Sequence, residues 1–396
     1  MTGPQLLAAA AGIVVVAATL GSAVRTVLLP RGIPSRLTRT VFRALRVLFA
    51  VWAGPKATFK RKDRVMALYA PVGLLMLVLV WELLMLAAYA SIFWAIGAGS
   101  VPRALQISGS SLLTLGVYKM EGFGAAALMY SEAAFGLLLL ALLITFMPTL
   151  YTAFSRREQM VALLEVRAGS PPSALEMITR YHRIHGLSQL KELWLLWEEW
   201  FVHLEETHTS FPALAFFRSP QPEHSWITAA GAVLDAAALR ASTIEGAREP
   251  GAELCIRAGY IALRRIAHYF DIPHSHDPSP TDPITIDQAE YDRIYDELAA
   301  VGVPLKSDRR QAWRDFAGWR VNYDTPLVAL TGFVQAPHAP WSSDRWQKYW
   351  QFKSFGGRVR VLATPAPWFT SEADASRSGL DPDTPVPEQA RAGGHK

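Results

Sequence analysis

The sequence predicts an all-α membrane protein: three transmembrane helices with a re-entrant loop between the second and third, followed by a cytoplasmic helical domain. Three observations carry that prediction. Apolar residues make up 51% of the 396, and the mean hydropathy is +0.16, high for a chain wholly in water. The excess sits mostly in the first 155 residues, where positive charge is confined to particular connections. Beyond them the pattern turns amphipathic, with apolar stripes at helical spacing.

Three stretches, residues 6–28, 66–97 and 125–154, can cross a hydrocarbon core about 30 Å thick, which takes about 20 helical residues. The first lacks the basic start of a secretory leader and runs straight into positive charge, so it reads as an uncleaved anchor. From Arg25 to Arg64 there are eleven Lys or Arg residues and one acid, Asp63, which assigns this connection to the cytoplasm by the positive-inside rule. The first span then runs inward, the second outward and the third back in, closed by Arg156 and Arg157. The expected location is the cell (inner) membrane, multi-pass, with the lipid bilayer as a partner. Cys255 is the only cysteine, so no intrachain disulfide forms, as suits a reducing compartment.

Within the basic connection, Arg36, Arg39, Arg43 and Arg46 fall on one helical face and Leu37, Val41, Phe42, Leu45, Leu48 and Phe49 on the other. Such a helix either lies on an anionic leaflet or packs on the protein's own spans. Glu82 lies deep in the second span and Glu132 nearer the outer end of the third. Intramembrane carboxylates face other helices or water, so both are candidate site residues, with a packing role as the alternative. Residues 100–124 are too polar to span and too apolar for an exterior loop. Ser100 and Pro102 mark a helix start, and Arg103 to Leu113 fit a short helix, which together describe a re-entrant segment.

After a linker at 156–180 comes a helical domain at 181–350. Its clearest element is Leu190 to Leu204, where Leu190, Leu193, Trp197, Trp200 and Leu204 form a stripe opposite acidic pairs. Further helices are expected at Trp226–Ile244, Ala252–Phe270, Asp287–Val301, Asp308–Val321 and Pro326–Val334. The tail, 351–396, lacks apolar periodicity and is expected to be largely disordered from about 370.

A span, a short helix, a Thr-x-Gly turn and a second span form an order with a physical use. Carbonyls of the turn can replace an ion's hydration shell, and the helix aims its negative end at the ion's path. The words here are Ser108-Gly109-Ser110-Ser111-Leu112-Leu113-Thr114-Leu115-Gly116, then Val117-Tyr118-Lys119. At this point the chain resembles the two-helix pore module of bacterial two-pore-domain-like potassium channels, whose turn reads Thr-Val-Gly-Tyr-Gly-Asp. The resemblance extends over about 66–172. It includes Glu132 as an inner-helix carboxylate, Gly136 as hinge and Pro148 near the gate. It implies a homotetramer passing an inorganic cation, with Thr114, Leu115, Gly116, Val117, Tyr118 and Lys119 as filter-equivalent. Two departures stand out. Tyr118 replaces the second glycine, where a Cβ penalises left-handed backbone, and Lys119 replaces the acid at the mouth.

Elsewhere, Glu199 and His203 stand at i, i+4, with Glu206, His208, His268, His274, His276 and Asp277 as further potential ligands. A second Glu-x-x-His is lacking, so they read as surface or packing residues and no metal or cofactor is expected. Asp235, in an apolar helix, is expected to pair with Arg240 or Arg257, and Cys255 to be core. No phosphate loop, nucleophile elbow or catalytic carboxylate pair occurs, so the chain is not read as an enzyme. A net charge of +5 with no basic stripe argues against nucleic acid. The expected function is a potassium-channel-like membrane protein for ion transport. The alternatives are a non-conducting receptor or scaffold with a helical regulatory domain, and a membrane-tethered helical enzyme or metal protein.

Overall fold

The computed structural model describes residues 2–27, 29, 35–54, 58–346, 350–352 and 361–363. Residues 1–346 form one compact unit and 347–396 a second. In the second, two antiparallel strands, Trp350–Phe352 and Val361–Ala363, pair with Trp350 opposite Ala363. The tail expected to be disordered, from about 370, lies outside the described residues.

The first unit is helical. Its span region holds α1 (Gly3–Val27), α2 (Arg36–Ala53), α3 (Phe59–Ala67), α4 (Tyr69–Ala95), α5 (Val101–Leu112) and most of α6 (Phe123–Ala168). Among the described residues, three helical stretches are long and apolar enough to cross a membrane: α1, α3 running on into α4, and α6. α1 lies along α4 so closely that a Cβ on Gly12 would meet the Ala88 carbonyl at 2.7 Å. Hydroxyls then tie α1 to α2: Ser22 meets Ser35 at 2.7 Å, Thr26 meets Thr38 at 2.8 Å, and the Trp81 indole donates to Ser22 at 3.2 Å.

The amphipathic helix expected around residues 36–49 forms as α2, and its apolar face is taken by α4. Leu45 and Phe49 are buried, and Phe42 and Phe49 meet the Tyr69 ring edge-on at 6.0 and 5.8 Å. Leu48, grouped with that face, is exposed instead. Arg46, grouped with the basic face, turns inward to donate to the Phe333 carbonyl at 3.0 Å.

α6 is the longest element. At about 1.5 Å per residue its 46 residues reach about 69 Å, far more than a bilayer core needs. It passes Pro148 unbroken and ends at Gly169, a positive-φ C-cap (φ 77°) whose N–H donates to the Glu165 carbonyl. Residues 156–180, expected as a linker, are therefore mostly helix. Val161, Leu164 and Ala168 of α6, and Met177 and Ile178 of α7 (Ala174–Arg183), are buried.

The remaining helices are α8 (Leu190–Ser210), α9 (Trp226–Ser242), α10 (Pro250–Tyr269), α11 (Gln288–Ala300), α12 (Arg309–Arg320) and α13 (Asp324–Val334). The five helices expected from Trp226 onward all form. Their starts follow from their caps: Asp287 makes a capping box with Glu290, and Asp308 accepts from the Gln311 N–H. Every residue of α9 from Trp226 to Leu239 is buried, because α6, α7, α10, α12 and α13 all pack around it. An α-helix apolar on all sides is stable only in such a surround.

Candidate functional site: the α5–α6 turn and its support

α5 starts where its residues dictate. The Ser100 hydroxyl accepts from the Arg103 N–H at 3.4 Å, and Pro102 sits in the first turn, where its missing N–H is harmless. The helix lies against α4 and α6 and buries Ala104, Ile107, Ser108, Ser110 and Ser111. The three serines buried in these four positions each make a bond that holds the helix or the turn after it. The Ser108 hydroxyl lies 2.9 Å from the Leu86 carbonyl of α4 and also contacts the Glu132 carboxyl of α6. Ser110 receives the Tyr118 N–H on its hydroxyl (3.0 Å) and the Leu115 N–H on its carbonyl (2.8 Å). The Ser111 carbonyl takes the Thr114 N–H at 2.9 Å.

These bonds fold residues 113–119 back over the end of α5, the negative end of its dipole. Leu113 to Lys119 are all exposed. Left-handed backbone, expected to strain Tyr118, falls instead on Thr114 (φ 55°) and Gly116 (φ 68°). Tyr118 is spared because its N–H is anchored to Ser110 without that conformation. The strained non-glycine residue is therefore Thr114.

Glu132 is fully buried, and its second carboxyl oxygen has no hydrogen-bond partner. One hydroxyl proton on Ser108 cannot serve both the Leu86 carbonyl and Glu132. The three-helix contact is complete only when the carboxyl carries a hydrogen of its own. One turn along α6, a Cβ on Gly136 would sit 2.7 Å from the Leu112 carbonyl, so this glycine permits close packing of α6 on the end of α5. Glu132 and Gly136 thus share one contact with α5. Glu82 does not join them: it is half-buried on α4, with no hydrogen bond or ion pair to another described residue. Pro148 is exposed, three turns beyond Gly136.

A second feature was not anticipated from the sequence. The segment Phe211–Phe217 ties the span region to the later helices. Phe211 meets Phe146 at 5.4 Å, Phe217 meets Phe154 at 5.6 Å, and Phe216 touches Tyr69, Phe270 and Phe333 at 5.5, 5.7 and 5.2 Å. The signal was legible: three phenylalanines and one proline in seven residues are too apolar for a solvent-facing loop. Arg157 of α6 donates to two carbonyls of this segment, and Arg218, just after it, pairs with Asp63 at 3.4 Å.

In the later helices, Asp235 pairs with Arg320 and accepts from the Tyr323 hydroxyl at 2.9 Å. The expected partner Arg240 is held by Glu249 at 2.8 Å instead. Burial works against the Arg320 charge, and Asp235 with Asp324 outweighs it, so the guanidinium sits above its ordinary value. Glu199 bonds Arg156 at 3.0 Å, both exposed. The rings of His274 and His276 lie 4.9 Å apart and those of His268 and His276 6.1 Å, yet no trio of ligand-type side chains among the described residues suits a metal ion. Burial pushes the Cys255 thiol up, away from nucleophilic reactivity. Compared with known proteins, the chain matches no family model, no curated protein and no solved structure.

Proposed function

We propose that this chain is a potassium-channel-like membrane protein for ion transport, assembled as a homotetramer around α6. In that reading Thr114 to Lys119 are the filter-equivalent and the helices from α7 onward are a cytoplasmic regulatory domain. The observation that supports it most is the seating of α5: a short capped helix wedged between two membrane-length helices, its C-terminal end feeding an exposed turn. Irregular backbone at that depth is tolerated only where it is buried in protein or lines a cavity, and four copies around an axis supply the cavity. The charge bias of the connections supports a turn outside and later helices inside. The filter-equivalent is altered away from ordinary potassium selectivity. Four copies of Lys119 repel entering cations, and left-handed backbone at Thr114 departs from an evenly extended row of carbonyls.

The same two features favour one competing reading, a non-conducting receptor or scaffold that keeps the pore architecture. Cation flux into vesicles holding purified full-length protein separates the two. The unmodified protein should pass monovalent cations slowly, with little preference for potassium over sodium, and Lys119→Asp should raise the flux severalfold. Thr114→Ala on that background should lower it again. Strong potassium preference in the unmodified protein would refute the altered filter. No flux from either the unmodified protein or Lys119→Asp would leave the receptor reading.

A further inference from the structure

α6 runs on for about four turns past Phe154. There one residue, Arg157, is held by four groups. Its Nε donates to Glu158 at 2.8 Å, one terminal nitrogen to the Leu214 carbonyl at 2.7 Å, and the other to the Phe217 carbonyl at 2.7 Å. The first terminal nitrogen also faces Nε2 of His208 at 3.3 Å. Arg157 is 4% exposed and His208 fully buried. The Leu204 carbonyl, 2.9 Å from His208 Nδ1, can only accept, so Nδ1 carries the hydrogen; Arg157 can only donate, so Nε2 is bare. The imidazole is a neutral acceptor, its ring 4.8 Å from Trp226.

The flank of α6 toward α8 is loosely filled. There lies a cleft of about 180 Å³ whose lining includes Arg157 itself, with Met160, Leu163, Leu196, Trp200 and His203. On this flank α6 and α8 are joined by the Arg156–Glu199 pair, and exposed pairs hold little. A rod pinned at a buried point, with free space beside it, can shift locally when that point is released. Further along the same rod, Glu132 and Gly136 grip α5 and so the turn.

We infer that Arg157 is a latch: its bonds to the Leu214 and Phe217 carbonyls and to His208 pin α6 to the segment Phe211–Phe217 and to α8, and breaking them frees this stretch of α6 to shift into the cleft beside α8. The latch makes the segment Phe211–Phe217 the place where an event in the later helices reaches the membrane-length rod. A lysine cannot replace this arginine, because one ammonium cannot reach two carbonyls and an imidazole from a planar fork.

The test is amide hydrogen exchange of the full-length protein in lipid nanodiscs. Arg157→Lys keeps the charge and loses the fork; His208→Phe keeps an aromatic ring against Trp226 and loses the acceptor. Exchange over residues 153–168 should quicken at least tenfold in Arg157→Lys and about threefold in His208→Phe, with α9 and α10 unchanged, while Glu199→Gln stays within twofold. Unchanged exchange in Arg157→Lys overturns the latch, as does equal acceleration throughout the later helices, which would mark a residue needed only for folding. If Arg157→Lys does not fold, His208→Phe decides alone, and exchange within twofold of the parent overturns the proposal. This readout does not depend on conduction. Faster exchange with no flux in any variant keeps the latch and sinks the pore reading.

Discussion

Glu132 in the span region and Asp235 in the later helices are both buried carboxyls, and the two regions complete them differently. Asp235 has a cation: Arg320 bonds it, bonds Asp324 at 2.8 Å and donates to the Trp341 carbonyl at 2.5 Å, while Asp324 receives the Thr285 hydroxyl at 2.7 Å. Glu132 has only Ser108 and an oxygen without a partner. A region that folds in water can bring a guanidinium 85 residues away onto a carboxylate. In a region surrounded by hydrocarbon a charge is costlier still, and a hydroxyl with a neutral acid avoids it. On the membrane reading proposed above, the same residue class marks two solvents within one compact unit.

The sharpest way to break this comparison is Arg320→Met. Two buried carboxylates would lose their cation, and removing one partner of a buried pair typically costs about 3–5 kcal/mol. The loss should be read as a lower urea midpoint followed by tryptophan fluorescence; a change under about 1 kcal/mol would mean the cluster is not ionic. Asp235→Asn is milder, because Arg320 keeps Asp324. A hydrogen bond to a charged group is worth about 1.5–3 kcal/mol, and a loss in that range is expected in the same titration.

A pH series sharpens the comparison in the junction. Burial first, then the neighbouring Arg157 charge, holds His208 well below its ordinary value. The folded protein keeps this imidazole neutral while the unfolded chain protonates it. The contribution is therefore complete above the unfolded pKa, about 6.5, and is lost as pH falls through it toward the folded value. Stability should drop by about 1.4 kcal/mol per pH unit below about 6 on this account, and His208→Phe should flatten that slope. An unchanged slope in the variant would assign the acid sensitivity elsewhere.

The smallest effect belongs to Glu132→Gln. An amide offers Ser108 the same donor and acceptor that a neutral acid offers, so a loss below about 1 kcal/mol is expected, against the larger loss at Asp235→Asn. Equal losses at the two positions would erase the contrast between them.

Much of the fold was legible in the sequence. Hydropathy marked the three membrane-length stretches, and apolar patterning marked α8 to α13. The end of the third stretch was not legible, because falling hydropathy at Phe154 marks a change in side-chain polarity and not the end of a helix. α6 therefore continues to Ala168. The partner of Asp235 was hidden by sequence distance. Arg240 is nearer in sequence, but five residues along a helix turn a side chain about 140° away. The turn was found from its words and its place between spans. Its left-handed residue was not, since backbone bonds to Ser110 and Ser111 decide that Thr114 takes it.

The central claim is that the first 155 residues lie in a bilayer with the turn outside and the basic connection inside. It is tested most directly by labelling single cysteines in intact cells with a membrane-impermeant maleimide. Native Cys255 is buried and leaves the background low. Lys119→Cys and Lys60→Cys both replace exposed residues. Cysteine 119 should label in intact cells, and cysteine 60 only after permeabilisation. Labelling of cysteine 60 in intact cells, or of cysteine 119 only after lysis, would contradict the orientation on which the pore reading rests.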